Sequence, residues 1–335
     1  MAKGSISGIC FSGREFYKIW DQPDYWQIHP QRFPLGLEPI LAKSKKTGIE
    51  VALWFNPSPD NGYANWQQDA DVLIDLYHKY GIRVFKIDGV DIPNKTADRN
   101  LRAFLNRVLE LTNHEVVFNL DITAGRRYGF HYFNEYGNLF LENRYTDWGN
   151  YYPHWTLRNL WILSRYLPPQ NLQVEFLNRW RNTDKYLSDD PLSPIHIPWD
   201  YCFAVTMMAQ PLAWFEASHL PEEAFAIKSV LEIYKRYQKN IHADKILPIG
   251  EEPSGGSWTG FQSIGQGHGF VLIFREHTSR SSAEIKLWKL TEGHPVQFKS
   301  LLGQGKDFSA SFDSQGYILF SLPEPMSYAF YEYTQ

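Results

Sequence analysis

The stretch "IEVALWFNPSPDNGYANWQQDADVLIDLYHKYGIRVFKIDG", residues 49–89, decides the fold. Its two ends, residues 49–57 and 82–88, are short apolar runs that are typical of buried strands. Between them, residues 66–81 repeat apolar side chains at helical spacing and end on Gly81, a residue type that commonly terminates helices. Two buried strands separated by a helix predict a parallel strand–helix–strand unit.

The same alternation continues to about residue 240. Further strands are predicted over residues 115–121, 138–144, 172–178 and 211–217, and helices over 97–113, 154–166, 200–210 and 222–240. So many units in one row favour a (β/α)₈ barrel of the TIM type over an open, doubly wound sheet. No glycine-rich phosphate loop follows a strand, which weakens a nucleotide-binding alternative.

The predicted strands are too few for a complete barrel, and the pattern changes towards the C-terminus. Six clear strands and a weaker one over residues 5–11 fall short of eight, so we expect a barrel that is incomplete at the N-terminus. Either the first unit is degenerate or the chain is a fragment of a longer protein, and we favour the fragment. After about residue 245, short β-like runs broken by Gly, Ser and Pro predict a small antiparallel β-domain. The predicted domains are therefore 1–244 and 245–335.

Composition excludes several classes of partner. The 335 residues carry a net charge of −4, which gives no reason to expect nucleic acid or an anionic membrane surface. No apolar run is long enough to span a bilayer, and the first residues lack the apolar core of a signal peptide. If the chain is complete, we therefore expect a cytoplasmic protein; its oligomeric state is not predicted.

Lys86 and Asp88 lie at the end of a predicted buried strand and share one face of it. Ionised groups are rarely buried unless they are paired or take part in a reaction. Because active sites of parallel barrels lie at the carboxyl ends of the strands, Asp88 is the best candidate for a nucleophile. Lys86 is expected to hold the pKa of Asp88 down and keep it ionised. A purely structural ion pair is the alternative.

Other polar and aromatic residues lie at the predicted strand ends. They are Trp54, Asn119, Asp121, Arg144, Asp147, Trp214 and Glu216. No nucleophile-elbow serine, cofactor motif or pair of histidines at ligand spacing accompanies them, so neither a metal nor a cofactor is predicted. Several carboxylates with Asn, Arg and Trp suit cleavage of a glycosidic bond, which needs a nucleophile and an acid/base. From the residues alone, Asp121 and Asp147 are equal candidates for the acid/base.

Three segments carry a resemblance to a known family. Residues 26–57, "WQIHPQRFPLGLEPILAKSKKTGIEVALWFNP", resemble the part of the α-galactosidases of glycoside hydrolase families 27 and 36 that leads into a G-L-W-F strand. Residues 84–89, "VFKIDG", look like their K-x-D strand, in which the Asp is the nucleophile and the Lys contacts the sugar. Residues 207–220, "MMAQPLAWFEASHL", resemble a late helix and strand of their barrel.

The resemblance implies a retaining α-glycosidase that acts on an oligosaccharide or another glycoside. In the family an acid/base Asp follows the nucleophile by about sixty residues, close to an Arg, which points to Asp147, fifty-nine positions after Asp88. Arg144 would then bind a hydroxyl group and Trp54 would stack on the sugar. Asp121 is left as a residue that binds the sugar or supports one that does.

The sequence also departs from the family. No clear match exists for the paired Asp that reads the axial hydroxyl of galactose, and no part of these 335 residues resembles the large N-terminal β-domain of family 36. Two alternatives to an active enzyme stay open for this reason: a non-catalytic or degenerate carbohydrate-binding barrel, and a fragment of a longer glycosidase.

Overall fold

The computed structural model describes residues 28–122, 133–140, 151–213, 219–291, 294–312 and 315–335. The chain divides into two compact units, Met1–Leu141 and Glu142–Gln335. The strand predicted over residues 5–11 lies outside the described residues. The domain boundary predicted between residues 244 and 245 falls inside the second unit and stays a prediction.

The first unit alternates helices with parallel strands. Its helices are α1 (Glu38–Thr47), the short α2 (Asp60–Tyr63), α3 (Trp66–Tyr80) and α4 (Lys95–Leu111), and its strands are β1 (Ala52–Phe55), β2 (Val84–Ile87), β3 (Val117–Asp121) and β4 (Gly137–Phe140). The four strands pair in chain order, each parallel to the next. The predicted strand–helix–strand unit is therefore confirmed.

Local sequence explains where these elements begin and end. The helix α3 ends at Gly81, which adopts a left-handed φ of 67°. The helix α4 begins after Asn94, whose side chain accepts hydrogen bonds from two backbone N–H groups of the first turn. Phe104 of α4 lies 6.0 Å from the ring of Phe55 and 6.3 Å from that of Phe118. The helices thus cover one apolar face of the sheet and leave the opposite face for other side chains.

The second unit begins with a further set of helices and parallel strands. Its helices are α5 (Pro153–Leu163), α6 (Trp199–Ala204) and α7 (Lys228–Ala243), with 3₁₀ turns at Pro169–Asn171, Thr183–Lys185, Pro194–His196 and Glu222–Ile227. The strands β5 (Leu172–Glu175) and β6 (Gln210–Leu212) pair in parallel. The helix predicted over 200–210 ends early, because Thr206 and Met207 bond three residues back and tighten the chain into turns.

The C-terminal part of the second unit is antiparallel. Its strands are β7 (Lys245–Gly250), β8 (Trp258–Ile264), β9 (His268–Arg275), β10 (Ser282–Lys286), β11 (Val296–Gly303), β12 (Phe308–Ala310), β13 (Tyr317–Ser321) and β14 (Ser327–Thr334). They form a sheet in the order β12-β11-β14-β9-β8-β7 and a separate β10–β13 pair, with a shared apolar core that includes Trp258, Phe298 and Tyr331. The predicted antiparallel β-domain is confirmed.

Of the predicted barrel, the described residues thus contain six parallel strands alternating with helices. A closed eight-stranded ring stays a prediction. Within the described ranges, no helix combines the length and the apolar character that crossing a membrane requires.

Candidate active site

A row of four side chains crosses the parallel sheet of the first unit. Trp54 is in register with Lys86, Lys86 with Asn119, and Asn119 with Asn138. Residues in register on parallel strands point to the same face, and this face is the one opposite to Phe55 and its helix partners. The structure therefore brings three predicted site residues, Trp54, Lys86 and Asn119, side by side; their role in binding stays a prediction.

Lys86 is held between a carboxylate and two aromatic rings. Its Nζ lies 3.6 Å from Asp88 Oδ2, 3.9 Å from the centre of the Phe140 ring and 4.5 Å from that of the Trp54 ring. The side chain is largely buried, with 11% of its surface exposed. Ring faces attract a cation, so the two aromatic residues fix the ammonium group beside Asp88. A Lys at this place supplies a positive charge next to any anion that forms at Asp88.

A tight turn presents the carboxylate of Asp88. Its backbone N–H donates to Phe55 O at 3.2 Å and so extends the pairing of β1 with β2 by one step. The N–H of Gly89 donates to Asp88 Oδ1 at 2.7 Å. Gly89 has φ +66°, and a Cβ there would lie 2.8 Å from Asn56 Nδ2. Only glycine fits this turn without strain, which explains the "DG" at the end of the strand.

The side chain of Asp121, the last residue of β3, lies within hydrogen-bonding reach of Asp88 and affects its pKa. A hydrogen bond between two carboxyl groups requires that one of them carry a proton. The residue is buried, as Asn119 is. The sequence predicts that Asp121 binds the sugar or supports a residue that does. The structure places it beside the proposed nucleophile, and its role stays a prediction.

The charge state expected for Asp88 needs correction. Burial and the hydrogen bond that protonated Asp88 donates to Asp121 raise the pKa of Asp88 to about 6, although Lys86 and the Gly89 N–H act in the opposite direction. Lys86 does lower the pKa of Asp88, as the sequence suggested, but the loss of solvent and the second carboxyl group outweigh it. Asp88 therefore changes between its protonated and its ionised form near pH 6 instead of near its ordinary pKa of 3.8, and shifts of this kind are typical of carboxyl groups in active sites.

Four predicted site residues cannot be placed. Arg144, Asp147, Trp214 and Glu216 lie outside the described residues, so the pairing of Asp88 with Asp147 stays a prediction. Among the residues that the structure describes, no group of three or more His, Cys, Asp or Glu side chains could hold a metal ion.

Two residues of this face were missed by the sequence analysis. Asn138 ends the row beside Asn119, and Phe140 lies under the ammonium group of Lys86. Both belong to β4, where the alternation of side chains along the strand puts them on the same face. The signal that could have found them is strand register, because each stands across from a predicted site residue of β3.

The fold resembles that of solved glycoside hydrolases. The family 36 α-galactosidase of Geobacillus stearothermophilus, solved in complex with raffinose, gives a TM-score of 0.64 at 12% identity, over 92% of this chain and 48% of that chain. The α-galactosidase of Lactobacillus brevis gives 0.63 at 13% identity, over 92% and 48%. An α-amylase of Geobacillus thermoleovorans, solved with acarbose, gives 0.59 at 10% identity, over 90% and 80%.

These comparisons confirm the resemblance to α-galactosidase-like glycoside hydrolases at the level of the fold. No protein-family model and no curated protein matches the sequence. The chain spans about half the length of the α-galactosidase structures that it matches. Fold alone does not assign a reaction, so the activity has to be argued from the site.

Proposed function

We propose that this chain belongs to a retaining α-glycosidase of the α-galactosidase type, with Asp88 as the nucleophile and Asp147 as the acid/base. The observation that carries the proposal is the buried Lys86–Asp88 pair at the end of β2, in a fold that α-galactosidases share. The substrate is an oligosaccharide or another glycoside with a terminal α-linked sugar. A closed eight-stranded barrel, completed by segments beyond those described, is part of the same proposal.

In the first step, a carboxylate oxygen of Asp88 attacks the anomeric carbon of the sugar. The bond from that carbon to the leaving oxygen breaks, and Asp147 gives its proton to that oxygen. The product on the protein is a glycosyl ester of Asp88. The ammonium group of Lys86, 3.6 Å from Oδ2, stabilises the carboxylate before the attack and again when the ester is cleaved.

In the second step, Asp147, now a carboxylate, takes a proton from water. The water oxygen attacks the anomeric carbon, and the ester bond breaks to return the electron pair to Asp88. Two inversions leave the configuration of the sugar unchanged. Sugar contacts are assigned to the side chains that share the row or the strand ends: Trp54, Lys86, Asn119, Asp121, Arg144, Trp214 and Glu216.

The pH profile should report the state of Asp88. Only its carboxylate attacks, and its pKa of about 6 means that kcat/KM should fall as the pH drops below about 6. In Asp121→Asn the amide donates to the Asp88 carboxylate and stabilises the charged form, so the acid limb of the profile should move to lower pH. Initial rates on an aryl α-galactoside, measured from pH 4 to 8, test this.

The exposed carboxylate of Asp60 provides the control for that experiment. Asp60→Asn should leave the acid limb where it is in the parent protein. An acid limb of Asp121→Asn that stays in place, or that moves to higher pH, contradicts the role given to the Asp121 hydrogen bond.

A second candidate is a non-catalytic carbohydrate-binding barrel. The observation that favours it is the hydrogen bond between Asp88 and Asp121, because a carboxyl group that keeps its proton is a poor nucleophile. Below about pH 6, where most Asp88 side chains are protonated, the polar row of the sheet would then bind a sugar without any reaction at Asp88.

Covalent trapping separates the two candidates. A panel of aryl α- and β-glycosides of galactose, N-acetylgalactosamine, arabinose and glucose identifies a sugar that is hydrolysed. The matching activated 2-fluoro sugar should then form an ester that breaks down slowly, and mass spectrometry should find it on the peptide that contains Asp88. Sugar binding by calorimetry with no hydrolysis in the panel selects the non-catalytic barrel, and an ester on another residue overturns the assignment of Asp88.

A further inference from the structure

We propose that a cleft of the second unit, remote in sequence from Asp88, is an accessory binding site for neutral saccharides. The cleft has a volume of about 390 Å³ and lies between the first turns of α5 and the loop that joins β7 to β8. It is lined by His154, Trp155, Arg158, Glu252, Pro253 and Ser254. The proposal goes beyond the hydrolytic function and does not depend on it.

Trp155 provides an aromatic platform in this cleft. The side chain is 41% exposed, although it is a large apolar group. Three neighbouring rings meet it edge to face, those of Tyr151 at 5.1 Å, Tyr152 at 5.0 Å and His154 at 6.0 Å. Tyr152 is itself held by its hydroxyl group, which donates to Asp190 at 2.6 Å. The exposed indole is therefore fixed in orientation before any ligand arrives, and such a rigid ring suits the apolar face of a pyranose.

The polar wall of the cleft is formed by an ion pair between Arg158 and Glu252, and this pair does not use all the polar atoms of the two side chains. Arg158 Nε donates to Glu252 Oε1 at 2.6 Å, and Nη2 lies at 2.6 Å from the same oxygen. Within the described part of the chain, Arg158 Nη1 and Glu252 Oε2 have no such partner. The remaining atoms are a donor on Arg158 and an acceptor on Glu252, and each can bond a hydroxyl group of a ligand. Because the two charges neutralise each other, the wall favours a neutral ligand over an anion such as phosphate.

His154 adds a buried polar group. It is only 9% exposed, and its Nδ1 has no hydrogen-bond partner within the described residues. Burial lowers the pKa of His154, so the ring is neutral and can both donate and accept a hydrogen bond. A buried polar atom without a partner is costly in a folded protein. Nδ1 is closed to solvent, so this cost belongs to the packing of the ring and the atom is not counted among the contacts offered to a ligand.

The size of the cleft sets the size of the ligand. Its volume of about 390 Å³ lies at the lower end of the range of roughly 300–1,000 Å³ found for small-molecule sites. One or two sugar rings, one of them over Trp155, fit this space better than a long chain.

The experiment uses the full chain labelled with ¹⁵N, whose 12 tryptophans each give an indole N–H resonance. The spectrum of Trp155→Phe identifies the Trp155 resonance by its absence. Titration with raffinose or maltotriose should shift that resonance in the parent protein. By calorimetry, Trp155→Ala should lower the association constant about tenfold, which is the scale expected for a lost aromatic contact. Sodium phosphate should cause no shift.

Trp288 is the matched control, because it is 42% exposed and does not line the cleft. Trp288→Ala should bind each saccharide like the parent. The inference is overturned if neither saccharide shifts the Trp155 resonance, if Trp155→Ala binds as tightly as Trp288→Ala, or if phosphate alone causes the shift. Hydrolysis of aryl glycosides is a separate measurement, in which Trp155→Ala should keep the parent rate. If a saccharide binds at Trp155 but no glycoside is hydrolysed, this inference holds and the enzymatic proposal fails.

Discussion

Asp88→Asn is expected to lower kcat on an aryl α-galactoside by a factor of at least about 10³, the scale of losing a covalent nucleophile. The amide has the shape of the carboxylate but cannot form a glycosyl ester, so the first step of the double displacement is removed. Asparagine retains a carbonyl oxygen that can accept the Gly89 N–H bond now made to Oδ1. The substitution should therefore leave the fold in place, which circular dichroism and a thermal scan can check.

A companion variant tests the other half of the mechanism. Asp147→Ala should lose activity on poor leaving groups. Added azide should restore turnover of an activated aryl glycoside, because the azide anion needs no base: it attacks the anomeric carbon in place of water, the ester bond to Asp88 breaks, and glycosyl azide is released. Asp60→Asn, at an exposed carboxylate of the first residue of α2, should keep the parent rate. If both Asp88→Asn and Asp147→Ala work at the parent rate, the assignment of these two residues is wrong.

The backbone architecture could be predicted because it depends on local patterns. The period of apolar residues and the terminal Gly81 predicted the helix that the structure places at Trp66–Tyr80. The apolar run that follows predicted the strand Val84–Ile87. In a parallel sheet covered by helices, the side chains along a strand alternate between the two faces. The spacing of Lys86 therefore predicted that it lies on the face opposite to Phe85 and Ile87, where the structure places it beside Trp54 and Asn119.

The electrostatics of the site could not be predicted in the same way. Lys86 is two positions from Asp88, so its charge was visible in the sequence. Asp121 is thirty-three positions away, and its hydrogen bond to Asp88 depends on how β2 and β3 are aligned. The degree of burial is likewise a property of the packed structure. Lys86, the neighbour visible in the sequence, lowers the pKa of Asp88. Burial and Asp121, which the sequence did not reveal, raise this pKa by more, so the predicted direction of the net pKa shift was wrong.

The second large effect is expected on the free energy of unfolding. It comes from Asp69, a carboxyl group outside the candidate active site. Asp69 of α3 is 1% exposed and accepts a hydrogen bond from the Ser58 N–H at 2.9 Å. Burial raises the pKa of Asp69 from 3.8 to about 7, although the bond from Ser58 acts to lower it. The folded protein therefore keeps this proton at pH values at which the unfolded chain has already released it. The contribution to stability is full below about pH 4 and is lost as the pH rises to about 7.

Asp69→Asn should remove this dependence, because asparagine has no proton to lose and its carbonyl oxygen can accept the Ser58 bond. Relative to the parent, the free energy of unfolding of the variant should be nearly unchanged at pH 4 and higher by at most about 4 kcal/mol at pH 8, which is the full pKa shift converted to energy. Denaturant titrations at the two pH values measure it.

Asp75→Asn is the control for that measurement, because Asp75 is an exposed carboxylate of the same helix. Its effect on the free energy of unfolding should differ by less than about 0.5 kcal/mol between pH 4 and pH 8. A gain for Asp69→Asn that is equal at the two pH values would mean that the substitution acts through packing rather than through the proton. A loss that grows with pH would mean that the Asp69 carboxylate is stabilised in the folded protein, the opposite of the direction that its burial requires.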